Sequence, residues 1–178
     1  HDTYYVIGHF HYVVAPGTIF AIFAGIYYWF PKLTGRQMNE TLGKLHFWPS
    51  FIFINGVFMP MFIQGLAGVS RRLYDGGDQY AHAQDVLPWN TFVSMSAWML
   101  LVAQIPFIIN LFVSIKKGAK VGANPWEATT LEWSAAPSPP IAHGNFPEIP
   151  VVTRGPYEYS PPDSDQSFLP QDAVAQEG

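Results

Sequence analysis

Three stretches of the chain contain no Asp, Glu, Lys or Arg: Tyr4 to Phe30, Leu45 to Val69 and Val86 to Ile115, of 27, 25 and 30 residues. Each exceeds the roughly 20 apolar residues that a helix needs to cross a hydrocarbon core of ~30 Å. The pattern predicts an all-α integral membrane fold with transmembrane helices over 1–30, 45–69 and 86–117, and a non-spanning tail over 118–178. Pro16, Pro49, Pro60, Pro88 and Pro106 lie in or beside these spans. Membrane helices tolerate them because neighbouring helices and ordered waters satisfy the freed carbonyls. Kinks are expected at Pro16, Pro60 and Pro106.

Charge divides the 178 residues unevenly. Residues 1–117 hold seven Lys/Arg and five Asp/Glu, whereas 118–178 hold two and eight, with ten of the 16 prolines. So proline-rich a segment cannot build long helices or a sizeable core of its own, and it reads as extended and draped on a partner. The overall net charge of -4 offers no basic footprint for nucleic acid. With no cysteine, a disulfide-stapled module, a thiolate zinc site and a thiol nucleophile are all excluded.

The flanks set orientation. Lys32, Arg36 and Lys44 outnumber Glu40 in the first connection, and Lys116, Lys117 and Lys120 follow the third span. Both ends are expected on the cytoplasmic side, leaving His1 and the connection carrying Arg71, Arg72, Asp75, Asp78 and Asp85 outside. Trp29, Trp48, Trp89 and Tyr28 near the span ends serve as interfacial anchors. The first residue is His rather than Met, and the first span begins almost at once. The chain therefore reads as the C-terminal part of a longer polypeptide, or as a processed one.

Two histidines, His9 and His11, stand within three residues at the start of the first span. Ionisable side chains in a membrane are expensive and need a reason. At about 100° per residue the two point about 200° apart, so they cannot chelate one ion together. From opposite faces each could ligate a haem iron, with the irons on the order of 12–16 Å apart, a layout for electron transfer. The alternative is that each hydrogen-bonds a neighbouring helix. His1 and Asp2, roughly two turns nearer the outer surface, suit a cation completed by waters and another chain, although a solvated Asp at a helix start is commoner.

The run His1-Asp2-Thr3-Tyr4-Tyr5, continued by His9-Phe10-His11-Tyr12, resembles the signature of subunit I of the haem-copper oxidases, the cytochrome c oxidase family. Trp29-Phe30-Pro31, Lys44-Leu45-His46-Phe47, Gly65-Leu66-Ala67-Gly68 with Arg71-Arg72, and Trp89-Asn90-Thr91 fall where the family's last three helices would place them. Asn124-Pro125-Trp126, Thr130-Leu131-Glu132-Trp133 and Pro137-Ser138-Pro139-Pro140 are similar to bacterial members. The resemblance covers essentially residues 1–160. It implies a place in a twelve-helix bundle, with His9 on the high-spin haem where oxygen binds and His11 on the low-spin haem. It also implies that Arg71 and Arg72 pair with haem propionates, as guanidinium geometry suits, and that His1 and Asp2 hold magnesium at the interface with subunit II. A solvated loop pair is the alternative for the arginines.

The same resemblance implies two haems, of the A type, and a copper centre whose ligands lie outside this chain. Its partners would be the rest of subunit I, subunits II and III, cytochrome c as donor, and the bilayer of a bacterial inner membrane, with the start of the chain periplasmic. The implied activity is oxygen reduction to water coupled to proton translocation. The alternatives are a quinol oxidase of the same superfamily, a dihaem membrane anchor without oxygen chemistry, and a plain three-helix scaffold. The chain departs from many members at Gly8 (commonly Ala), at Ala15-Pro16 (Ser-Met) and at Val69-Ser70 (Met-Pro). His46, His82 and His143 read as polar surface or capping groups. Asn55, Gln64, Gln104 and Asn110 read as interhelical hydrogen-bond groups, and Met59 and Met61 as packing.

Overall fold

The computed structural model describes residues 1–75, 77–141, 146–160 and 166–173; His143 and parts of the tail lie outside them. Helix α1 runs Tyr4–Thr34, α2 Glu40–Leu66, α3 Trp89–Val102 and α4 Ile105–Lys117. A 3-10 turn, Ala81–Val86, leads into α3, and α5 is a single turn, Leu131–Ser134. Three helical stretches are long and apolar enough to cross a membrane: Tyr4–Thr34, Glu40–Leu66 and Ala81–Lys117. The chain is thus a mostly helical integral membrane protein. Along α1, Val13, Val14, Ile19, Ile22 and Leu33 all stay exposed, as expected of a helix that is apolar all round and faces lipid or other helices.

Local chemistry moves the helix ends away from the uncharged limits. The α2 helix starts at Glu40 because the Asn39 side chain accepts from Leu42 N at 2.9 Å, satisfying one orphan donor, and Glu40 suits the positive end of the dipole. It ends before Gly68, whose φ of +88 turns the chain back.

The prolines behave unequally. Helices α1 and α2 continue through Pro16, Pro49 and Pro60, whereas the third span breaks between Val102 and Ile105, just ahead of Pro106. At the break, Gln104 N donates to Leu101 O at 3.1 Å instead of to Leu100 O, and the Gln104 side chain takes over Leu100 O through Nε2 at 2.9 Å. The side chain so repairs a vacancy that would be costly in lipid.

The chain divides into two compact units. The first comprises His1–Gly25 and Asn39–Phe112. Its core is small, with Ile54, Val57, Val69, Ala83 and Ala103 among the buried apolar residues, and polar ties supplement it. Fully buried Asn110 accepts from Asn39 N and donates to Asn39 O, both at 2.8 Å, holding α4 on the start of α2. Gln64 Nε2 reaches Val86 O at 3.2 Å and Asn90 Oδ1 at 2.8 Å. Gln104 Nε2 also donates to Ser50 Oγ at 3.0 Å. These amides act between elements, as their positions in the spans suggest. Small residues allow close approach: a Cβ on Gly65 would overlap the Tyr5 backbone, and one on Gly56 would overlap Ser96 Oγ.

His46 departs from the expected surface role. It is 2% exposed, sits edge-on to Phe23 at 4.6 Å, lies 5.1 Å from Phe107, and has Nε2 3.1 Å from Gln104 Oε1. A buried imidazole must be hydrogen-bonded, and Gln104 supplies the bond. His82, by contrast, is exposed, with only a 3.4 Å approach to Gly68 O.

The second unit comprises Ile26–Met38 and Val113–Gly178. A two-residue strand β1, Arg36–Gln37, pairs antiparallel with β2, Ala119–Lys120. The tail up to Ser138 packs on the end of this chain's own α1. Ser138 Oγ contacts Pro31 O at 2.6 Å and Lys32 O at 2.9 Å, carbonyls at the end of α1, the first of which also accepts from Gly35 N at 2.8 Å. Lys32, 5% exposed, donates to Ala123 O at 3.0 Å and Ala136 O at 2.9 Å and lies 4.9 Å from the Trp133 ring. Trp133 stacks on Trp29, and Trp126 Nε1 donates to Tyr28 O at 3.0 Å.

Candidate haem-binding face

The outer start of α1 is held by backbone before any side chain acts. Thr3 and Ser70 form an antiparallel bridge, Tyr4 N donates to Val69 O at 2.9 Å, and Arg71 N donates to Asp2 O at 3.0 Å. The link brings Asp2 beside Arg71, whose Nε and Nη2 lie 2.9 and 2.8 Å from Asp2 Oδ1. His1 Nδ1 is 3.4 Å from the other oxygen, Oδ2. With Asp2 60% exposed, the ion pair contributes only about 0–1 kcal/mol. The two backbone bonds, at about 0.5–1.5 kcal/mol each, fix the geometry. Asp2 and Arg72 flank the bridge with φ of +54 and +65, conformations uncommon outside glycine. Arg72 is exposed and makes no ion pair among the described residues. The sequence expectation treated His1 and Asp2 as one site and the arginines as another; here Asp2 joins them.

His9 and His11 both lie within α1, so their helical positions stay about 200° apart. His11 is half-buried, and its Nδ1 lies 2.8 Å from Ile7 O. A carbonyl can only accept, so the ring proton sits on Nδ1 and the lone pair on Nε2, as a metal-ligating imidazole requires. The His11 ring packs 4.2 Å from Phe10 and, nearly parallel at 14°, 4.9 Å from Phe58 of α2. His9 is exposed, and neither of its ring nitrogens has a hydrogen-bond partner among the described residues. The residues therefore fit a haem on either face of α1. One residue on, Tyr12 OH donates to Asn55 Oδ1 at 2.7 Å.

Among the described residues no three His, Cys, Asp or Glu side chains gather as a metal set. His1 and Asp2 alone are far short of the six oxygen ligands magnesium prefers, so a cation there needs water and another chain. Phe58, Tyr12 and Asn55 were not singled out by sequence as neighbours of His11. Their only signal is the spacing of Asn55, Phe58 and Phe62 along one face of α2.

The sequence model of the family described as "Cytochrome C and Quinol oxidase polypeptide I" matches residues 1–131. The cytochrome c oxidase subunit 1 of Synechocystis sp. is 51% identical over 161 residues, covering 89% of this chain and 27% of that protein. The alternative cytochrome c oxidase subunit 1 of Bradyrhizobium diazoefficiens is 42% identical over 171 residues, 96% of this chain and 29% of that one. The cytochrome c oxidase subunit 1 of Thermostichus vulcanus is 46% identical over 159 residues, covering 89% and 27%. The chain is an integral membrane protein of three apolar spans with two imidazoles on its first helix. The chain is a member of the cytochrome c and quinol oxidase polypeptide I family. It spans between 27% and 29% of the length of these relatives.

Proposed function

We propose that the chain is the C-terminal portion of the catalytic subunit of a bacterial respiratory terminal oxidase, which reduces oxygen to water and translocates protons. The observation that carries this reading is the pair of imidazoles on opposite faces of α1, His11 with its lone pair set on Nε2 by Ile7 O at 2.8 Å and His9 without a protein partner among the described residues. His11 would hold the low-spin haem and His9 the high-spin haem. Haem, of the A type, and copper supply one-electron oxygen chemistry when bound. This chain's part would be to hold both imidazoles on one helix, with Phe10 between them in sequence, so that the groups bound on the His11 and His9 sides would be joined by a short path.

Arg71 and Arg72 balance propionate charge at the outer end. His1 and Asp2 give two ligands of a magnesium site completed by subunit II. The copper ligands lie outside this chain, in the rest of subunit I. Subunits II and III and the lipid bilayer are its other partners. Residues 1–30, 45–69 and 86–117 cross the inner membrane, with the start of the chain periplasmic and 118–178 cytoplasmic. Cytochrome c is the donor, a choice supported by the names of the relatives.

The test is a reduced-minus-oxidised optical spectrum of the purified membrane complex, with and without carbon monoxide. Two haem environments, only one shifted by carbon monoxide, are expected. Haem that never binds carbon monoxide would replace this reading with a dihaem anchor, and no haem at all with a scaffold. Turnover with reduced cytochrome c but not with quinol is the expected donor preference.

A further inference from the structure

A histidine's ring torsion is soft and roughly two-fold, so one hydrogen bond does not fix the plane of an imidazole. The bond from His11 Nδ1 to Ile7 O selects the tautomer yet leaves the ring free to swing about it. Phe10, 4.2 Å away, belongs to the same helix and moves with it. Phe58 belongs to α2, lies 4.9 Å from the His11 ring and is tilted only 14° from it, so it is the ring that resists rotation from outside α1. Three contacts hold Phe58 at that distance. Tyr12 and Asn55 tie α1 to α2 at 2.7 Å. Phe62 packs on Tyr5 at 4.8 Å and on Tyr12 at 5.7 Å. Gly8 is buried directly against the Phe58 backbone, where a Cβ would stand 3.2 Å from Phe58 O.

We infer that Phe58 is a positioning residue that sets the plane of the His11 imidazole, with Gly8 and the Tyr12–Asn55 bond setting how closely it does so. The inference rests on the reading that His11 ligates the low-spin haem. The plane of an axial imidazole sets the magnetic anisotropy of low-spin ferric haem, and second-shell packing tunes the potential. The group is therefore read spectroscopically, independently of turnover.

The experiment uses the complete oxidase carrying Phe58→Leu, Phe58→Tyr, Gly8→Ala or His11→Ala, with haem content, the electron paramagnetic resonance g values of the low-spin haem and its midpoint potential as readouts. Phe58→Leu, which keeps apolar bulk but removes the flat ring, is expected to shift and broaden the low-spin signal at unchanged haem content. Phe58→Tyr restores the parent signal. Unchanged g values and width in Phe58→Leu overturn the inference. Should that variant not assemble, Gly8→Ala retains every ring and crowds the Phe58 turn, and parent g values there overturn it equally. His11→Ala separates the two levels. Loss of the low-spin signal in His11→Ala beside a silent Phe58→Leu defeats only the positioning role, whereas survival of the signal defeats the ligand reading itself.

Discussion

The two ends of α1 treat expensive polar side chains in opposite ways. Toward its start, His9 has no hydrogen-bond partner among the described residues, and His11 uses only Nδ1, with no partner on Nε2 among them. Toward its end, Lys32 is enclosed: two backbone carbonyls at 3.0 and 2.9 Å take its amine, and Trp133 covers it. Polar groups in a membrane span must be satisfied somewhere. Where the chain satisfies them itself, the residue is structural. Where it leaves them open, as at His9 and His11, the proposed function assigns the missing partner to a bound group. The contrast separates two kinds of costly residue that a hydropathy profile scores alike.

The comparison breaks most visibly if the open histidines prove structural. In the complete enzyme, His9→Ala is expected to abolish carbon monoxide binding at the high-spin haem while leaving the low-spin spectrum, with cleavage of the tail by added protease unchanged. Persistent carbon monoxide binding would remove His9 from its role. Next in size is Gly65→Ala. A Cβ there would overlap Tyr5 N, a backbone atom, so neither helix can yield by a side-chain rotation. The expected outcome is failure of the start of α1 to seat on α2, seen as loss of assembled, haem-containing complex. Full assembly would show that the close approach is dispensable.

The spans were legible because 25 or more uncharged residues in succession leave a helix few alternatives. His9 and His11 were legible for the inverse reason, since lipid makes them conspicuous. What remained illegible involves partners distant in sequence. Lys32 looked like a flanking charge because its acceptors lie 91 and 104 residues on. His46 looked like surface because Gln104 is 58 residues away. Tyr12 and Asn55 are 43 apart. Among the described residues the tail's prolines leave a single helical turn, Leu131–Ser134. They could not announce that Ser138 would cap the carbonyls of Pro31 and Lys32, because capping depends on where the chain returns. The break before Pro106 was signalled by the proline itself, but its repair by the Gln104 side chain was not.

The enclosed lysine gives the middle-sized effect. Lys32→Ala removes the donor from Ala123 O and Ala136 O, and each buried carbonyl left unpaired costs about 1–3 kcal/mol. Faster tryptic cleavage at Lys116, Lys117 and Lys120, with both haem signals intact, is expected. Lost haem with a resistant tail would reverse the assignment of the two ends.

The smallest effects test whether a buried polar group away from α1's ends follows the same rule. Gln104 bonds Leu100 O, Ser50 Oγ and His46 together, so Gln104→Leu removes three bonds at once, whereas Ser50→Ala removes one and leaves Gln104 its bond to Leu100 O. Thermal unfolding of the purified complex is therefore expected to drop clearly for Gln104→Leu and to shift by no more than about 0.5–1.5 kcal/mol for Ser50→Ala. Both should retain the parent haem spectra. The ratio matters more than either value, because equal losses would mean that the three bonds do not act through Gln104, and that the break before Pro106 is held by packing alone.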